Sequence, residues 1–152
     1  MIKEEKSMGE RKPLTELEVI EFVHKWYYNF NTHAPIEEFL PMLSKEGLVM
    51  KFPEATLEGI DAFKDWYKTV THKFFDQDHN IKYLDIRLNG KEANVRVIVR
   101  WQARTWEAPA AKSSWLGYDA YQSWIVERDE RSGCIAIREY SVDAFIPMEG
   151  SN

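Results

Sequence analysis

The hydrophobic period of this chain changes once, near Asp76, and that change limits what the chain can fold into. Upstream, apolar residues recur at helical spacing; downstream, they recur at every second position. Val19, Ile20, Val23, Trp26, Tyr27 and Phe30 share one helical face, and Thr15-Glu16-Leu17-Glu18 is a capping box that starts it. Asn31-Thr32-His33 ends that helix. Pro35 fits the first turn of a second, short helix carrying Ile36, Phe39, Leu40 and Leu43. Pro41 removes a hydrogen bond back to Glu37, so this helix is expected in two pieces. Leu48 to Phe52 reads as a strand stopped by Pro53. Gly59 then opens a third helix, with Ile60, Phe63, Trp66, Tyr67, Val70 and Phe74 in its apolar stripe.

Past Asp76 the chain reads as four strands: Asn80 to Leu88, Ala93 to Trp106, Tyr118 to Arg128 and Ile135 to Phe145. Asn89-Gly90 is a hairpin signal, because both residues tolerate positive φ. Helices and strands are segregated rather than alternating, which points to an α+β fold with a mostly antiparallel sheet. The 152 residues suit one domain, read as 14–147 between a flexible tail of residues 1–13 and a short tail of residues 148–152. A long twisted sheet wrapped on helices leaves a concave face. The 14% aromatic content is more ring bulk than a tight core requires, so an aromatic-lined apolar pocket is expected there.

Charge and residue inventory narrow the function classes. A net charge of −5 disfavours nucleic acid, which needs clustered Lys and Arg. Cys134 is the one cysteine, so no internal disulfide or multi-cysteine metal site can form; its apolar surroundings predict a small core residue. His24, His33, His72 and His79 show no metal-ligand spacing, and no metal or other cofactor is expected. The charged stretch from Met1 to Lys12 contains no apolar segment of the kind found in signal peptides or membrane spans, which predicts a cytoplasmic protein.

Three stretches carry a resemblance to a known family. They are Trp26-Tyr27-Tyr28-Asn29-Phe30 with Phe39-Leu40 and Met42-Leu43; Met50-Lys51-Phe52-Pro53 with Gly59, Phe63, Trp66 and Tyr67; and Gly133-Cys134-Ile135-Ala136-Ile137-Arg138-Glu139-Tyr140. In their order and spacing, over roughly residues 14 to 146, the chain resembles the NTF2-like superfamily and, within it, SnoaL-like proteins of the polyketide-cyclase type. The resemblance implies a cone: a curved sheet closed by three N-terminal helices around an apolar pocket, in proteins that often dimerise through the outer sheet face. It also implies a small cyclic or polyketide-like ligand, and cofactor-free cyclisation, isomerisation or dehydration if the protein is an enzyme. Non-catalytic binding or accessory modules share the fold, as does the small subunit of ring-hydroxylating dioxygenases.

Tested residue by residue, the resemblance divides. The isomerases of the family need a carboxylate just before the strand-ending Pro, and here Phe52 stands there. Their oxyanion Tyr falls at about Trp26 and their oxyanion Asp at about Gln122. The epoxide-hydrolase pattern would draw on Asp143 with Arg100 or Arg138, but Asp143 is one residue out of step with Tyr140 and should face the other way. A dehydratase pattern would use His72 or His79 with an acid. The catalytic candidates are therefore His72, His79 and Asp143. The candidates for touching a ligand are Trp26, Tyr27, Trp101, Gln122, Trp124 and Tyr140. Arg96, Arg100 and Arg104 share the opposite strand face with Ile98 and Gln102, a composition that suits a homodimer interface, with Glu127 and Glu139 as cross-strand partners.

Overall fold

A computed structural model describes residues 12–152. Helix α1 spans Glu16–Asn31 and begins with the expected capping box: Thr15 Oγ1 accepts from the Glu18 N–H, and Glu18 reaches back to the Thr15 N–H. Thr15→Ala removes the bond to the side-chain hydroxyl, leaves the backbone one, and is expected to cost about 1 kcal/mol of stability, read from urea unfolding midpoints. The second helix is not a helix. It is two short 3-10 turns, Ile36–Glu38 and Leu40–Met42, meeting at Phe39, as the lost donor at Pro41 requires. Buried Asn29 ties them to α1 by donating to the Glu38 carbonyl at 3.3 Å.

Strand β1 spans Val49–Lys51, and a three-residue strand β2, Thr56–Glu58, pairs back on it antiparallel. At three residues β2 is too short to show an alternation, so its sequence marks only a turn. Gly59, at φ 88°, turns the chain into helix α2, Ile60–Lys73. The strands that follow are β3 (Phe75–Asn89), β4 (Glu92–Thr105), β5 (Ser114–Arg128) and β6 (Ile135–Pro147). Three of the four run longer than their alternation suggested. The six-stranded sheet has the order β2-β1-β6-β5-β4-β3, antiparallel except where β1 pairs β6.

The inner face of the sheet packs on both helices. Val95, Val97 and Val99 of β4, Ala120, Trp124 and Val126 of β5, and Ile137 and Tyr140 of β6 are all buried there. Trp26 sits at the centre with no exposure, its ring 5.2 to 6.0 Å from those of Phe30, Phe39, Phe63, Trp124 and Tyr140. Arg128 is buried at the end of β5. It donates to the carbonyls of Lys12, Pro13 and Gly133 and to the Glu18 carboxylate, holding the chain before α1 against the sheet. Residues 1–11 of the expected flexible tail lie outside the described residues. The C-terminal segment is fastened: Met148 N–H donates to the Gly117 carbonyl, and the Tyr118 hydroxyl to the Asn152 carbonyl.

Two expectations about single residues are corrected. Cys134 is exposed rather than buried, because it directly follows the Asp129–Gly133 turn, where Ser132 Oγ accepts from its N–H, and β6 starts one residue later. Arg96, Arg100 and Arg104 do not pair with Glu127 or Glu139; the arginine that reaches Glu127 is Arg138. Arg100 forms a two-point pair with Asp119 at 2.9 and 3.1 Å, its cross-strand neighbour, and Arg138 takes Glu92 and Glu127. Among the described residues no helix is long and apolar enough to cross a membrane.

Candidate functional site

Tyr27 and Asn31 lie one turn apart on α1 and so share a face. That face meets the start of β3, where His79 pairs with Trp101 of β4 and points inward. The His79 ring stacks on Tyr27, centroids 5.3 Å apart and planes 20° apart, and its Nδ1 lies 2.7 Å from Asn31 Oδ1. An amide oxygen only accepts, so Nδ1 carries the proton and Nε2 keeps its lone pair, with no partner among the described residues. Burial beside Tyr27 and Phe30 pushes the imidazole down to about 3, so it is neutral near pH 7.

Gln122 of β5 anchors the other half of the cluster. Its Oε1 accepts from Tyr27 at 2.5 Å and from Trp124 Nε1 at 3.1 Å. Burial raises Tyr27 well above the ordinary phenol range, with a smaller contribution from nearby Tyr140. Burial likewise raises Tyr140, tempered by the Trp26 indole and the Gln122 amide beside its hydroxyl. The Trp26 contact falls short of a well-formed hydrogen bond, and Trp26 Nε1 is buried without a partner. Tyr67 is pushed up to about 12 by burial, and its hydroxyl donates to the Ala34 carbonyl at 2.6 Å.

Around Trp101 the rings are half-buried rather than buried. Trp101 stands 5.1 Å from Phe74, 6.1 Å from Tyr118 and 5.9 Å from Phe145, while Tyr118 and Phe145 stack at 4.1 Å. Buried Gln77 fixes the Trp101 indole: its oxygen accepts from Trp101 Nε1 at 3.0 Å, and its amide nitrogen faces His33 Nε2 at 3.1 Å.

Of the nine sequence candidates, Tyr27, His79, Gln122, Trp124 and Tyr140 converge, and Trp101 flanks them across β3. Trp26 and Trp124 are 0% and 1% exposed, which makes them walls of the core rather than surfaces open to a ligand. His72 lies on the exposed face of α2 with Nδ1 2.7 Å from the Lys68 carbonyl, away from the inner face. Asp143 is on the outer face, as its parity required, and accepts from Ser123 and Ser141. It falls at a register shift, since Gln122 pairs Val142 while Tyr121 pairs Ala144. Neither Arg100 nor Arg138 reaches it; each is paired elsewhere. Phe52, at the isomerases' base position, is stacked on Trp66 at 4.0 Å. Asn31 and Gln77 escaped the sequence reading. The i, i+4 spacing of Asn31 from Tyr27 was the one signal that could have drawn attention to it.

Two surface depressions lie away from this cluster. One, of about 370 Å³, follows the outer face between Lys51, Asn94, Arg96, Ser123, Glu139 and Ser141. The other, of about 450 Å³, is an open hollow beside His72 on α2. Among the described residues no group of three His, Cys, Asp or Glu is placed to hold a metal ion.

The element order, the curved mixed sheet and the ring-lined inner face define an α+β protein of the cystatin-like, NTF2-like class. The SnoaL-like domain model matches residues 14–134, and the chain belongs to that family. Solved structures of similar fold include a provisionally assigned scytalone dehydratase from Novosphingobium aromaticivorans (TM-score 0.67, 16% identity, 89% of each chain covered). An NTF2-like superfamily protein from Salmonella enterica superposes with TM-score 0.71 at 13% identity, over 84% of this chain and 90% of that one. A type 2 hexachlorocyclohexane dehydrochlorinase does so with TM-score 0.71 at 12% identity, over 88% of each chain. At these identities the likeness is one of fold. No curated protein matches the chain.

Proposed function

We propose that this SnoaL-like protein binds a small, apolar, cyclic or polyketide-like molecule against the half-buried rings around Trp101. There it moves a proton on that molecule without a cofactor. The observation that carries this reading is the His79 imidazole, held by Asn31 with its Nε2 lone pair unpaired beside Tyr27 and Trp101. Nε2 would take a proton from a ligand carbon and return it to the same molecule, or pass it to a leaving group, as isomerisation or elimination requires. The dehydratase and dehydrochlorinase of similar fold are named for eliminations, which lends support.

A second reading, binding without turnover, is favoured by the partner of His79. Asn31 is neutral and offers an imidazolium no counter-charge, so a proton gained at Nε2 is poorly stabilised. Native mass spectrometry with a panel of aromatic and steroid-like ketones, followed by solvent-deuterium exchange into the bound ligand, separates the two. Exchange that is lost in His79→Phe is the expected result. Binding without exchange selects the second reading, and no binding ends both.

We also propose a homodimer through the outer sheet face and a cytoplasmic location. Arg96 is exposed on that face without an ion pair among the described residues, and its cross-strand neighbour Ser123 donates to Asp143. A monomer in sedimentation at micromolar concentration would refute the dimer.

A further inference from the structure

Two side-chain rungs join the end of α1 to the start of β3. Asn31 meets His79 at 2.7 Å; two residues on in the loop and two back on β3, His33 meets Gln77 at 3.1 Å. Each rung pairs an imidazole with an amide, and their proton polarities are opposite. In the first, His79 Nδ1 donates to the Asn31 oxygen. In the second, the Trp101 indole decides the polarity. Its N–H can only donate, so Gln77 Oε1 faces it at 3.0 Å and Gln77 Nε2 faces His33. His33 Nε2 therefore accepts, which an imidazole protonated at that nitrogen cannot do.

Acid acts on the two rungs differently. A proton added to His79 goes to Nε2 and leaves its bond to Asn31 whole. A proton added to His33 Nε2 sets N–H against N–H. Either the amide turns over, which moves the same conflict to Trp101, or the exposed His33 ring swings into water; in both cases buried Gln77 loses a bond. The backbone on each side of the rung lies in the left-handed region, at φ 50° for both His33 and Asp76. Neither residue is glycine, so each turn depends on the contacts that hold it.

We infer that the His33–Gln77 rung is a pH-operated latch on the seam between α1 and β3, closed when His33 is neutral and open when it is protonated. Its state reaches Trp101, because Gln77 holds that indole. No fixed counter-charge replaces the lost bond. Lys25 of α1 and Glu38 of the 3-10 turns pair with each other at 3.8 Å, and Lys73 of α2 stands over Phe74. Tyr67 of α2 spends its hydroxyl on the Ala34 carbonyl. The carboxylates of Glu37 in the 3-10 turns and of Asp76 and Asp78 in β3 form no ion pair with His33 among the described residues.

An NMR titration of the whole chain from pH 8 to 5 tests this. His79, pushed down to about 3, stays neutral across that range and does not interfere. The Gln77 side-chain N–H resonances and the Trp101 indole N–H are expected to move with the same midpoint as the His33 ring. In His33→Asn, which tolerates the left-handed backbone and does not titrate, they should stay still. Gln77→Glu should reverse the sign. A carboxylate accepts from the indole and from the protonated ring together, so His33 should titrate about one pH unit higher than in the wild type. Resonances of either residue that stay still while His33 titrates, or that move alike in His33→Asn, overturn the inference. So does a His33 midpoint that is unmoved or lowered in Gln77→Glu. If neither variant folds, the coincidence of midpoints in the wild-type protein decides alone.

Discussion

Trp26→Ala should lower stability by about 4 kcal/mol, within the range for deleting a buried aromatic side chain. The indole has no exposure and touches rings from α1, the 3-10 segment, α2, β5 and β6, so its loss opens a cavity at the point where every layer meets. Five aromatic neighbours, each locked against others, cannot collapse into the gap without leaving their own contacts. Trp26→Phe is expected to cost much less, about 1 to 2 kcal/mol. The smaller ring leaves a smaller void, and the substitution also removes a buried N–H that has no hydrogen-bond partner. Urea unfolding midpoints of the two variants measure the difference. Equal losses would mean that the indole N–H is engaged after all.

Asn31→Asp should move the His79 titration up by about two pH units, as a carboxylate 2.7 Å from an imidazole favours the charged ring. The sign of the stability effect follows from the native protein. With the folded imidazole pushed down to about 3 and an unfolded histidine near 6.5, the unfolded chain binds the extra proton between those values. Stability from this residue is complete above pH 6.5 and is lost as pH falls toward 3, by roughly 3 kcal/mol once the half-burial of the ring is allowed for. In Asn31→Asp the window narrows from below and acid destabilisation weakens. NMR titration of His79, with urea midpoints at pH 7, 5.5 and 4, measures both. An unmoved titration would show that position 31 does not control the imidazole. If the proton-transfer reading is right, the same substitution should raise solvent exchange into a bound ketone, because the base becomes stronger at neutral pH.

Much of the fold was legible before the structure. The Thr15–Glu18 box, the break at Pro41, the Asn89-Gly90 hairpin and the switch of period near Asp76 each act through local geometry, and each is present. The opposite orientation of Asp143 and Tyr140 was also legible, because strand parity alone decides it. The strand β2 and the exposure of Cys134 were not. A three-residue strand has no period, and a residue at the edge of a turn carries the same apolar flanks as one inside a strand.

By itself, the sequence determined the segregated α+β order, the aromatic surplus and the loss of the isomerase base at Phe52, since each depends only on which residues follow one another. Tertiary structure decided the site. Asn31 ends a helix, His79 lies 48 residues later and Gln122 another 43 beyond, and nothing local relates them. They meet because β3 and β4 pair in one register across bulges at Phe75–Asp78 and Ile81–Tyr83, and because the sheet curves back onto α1. A single-residue slip there would turn His79 to the outer face and leave Tyr27 without its stacking partner.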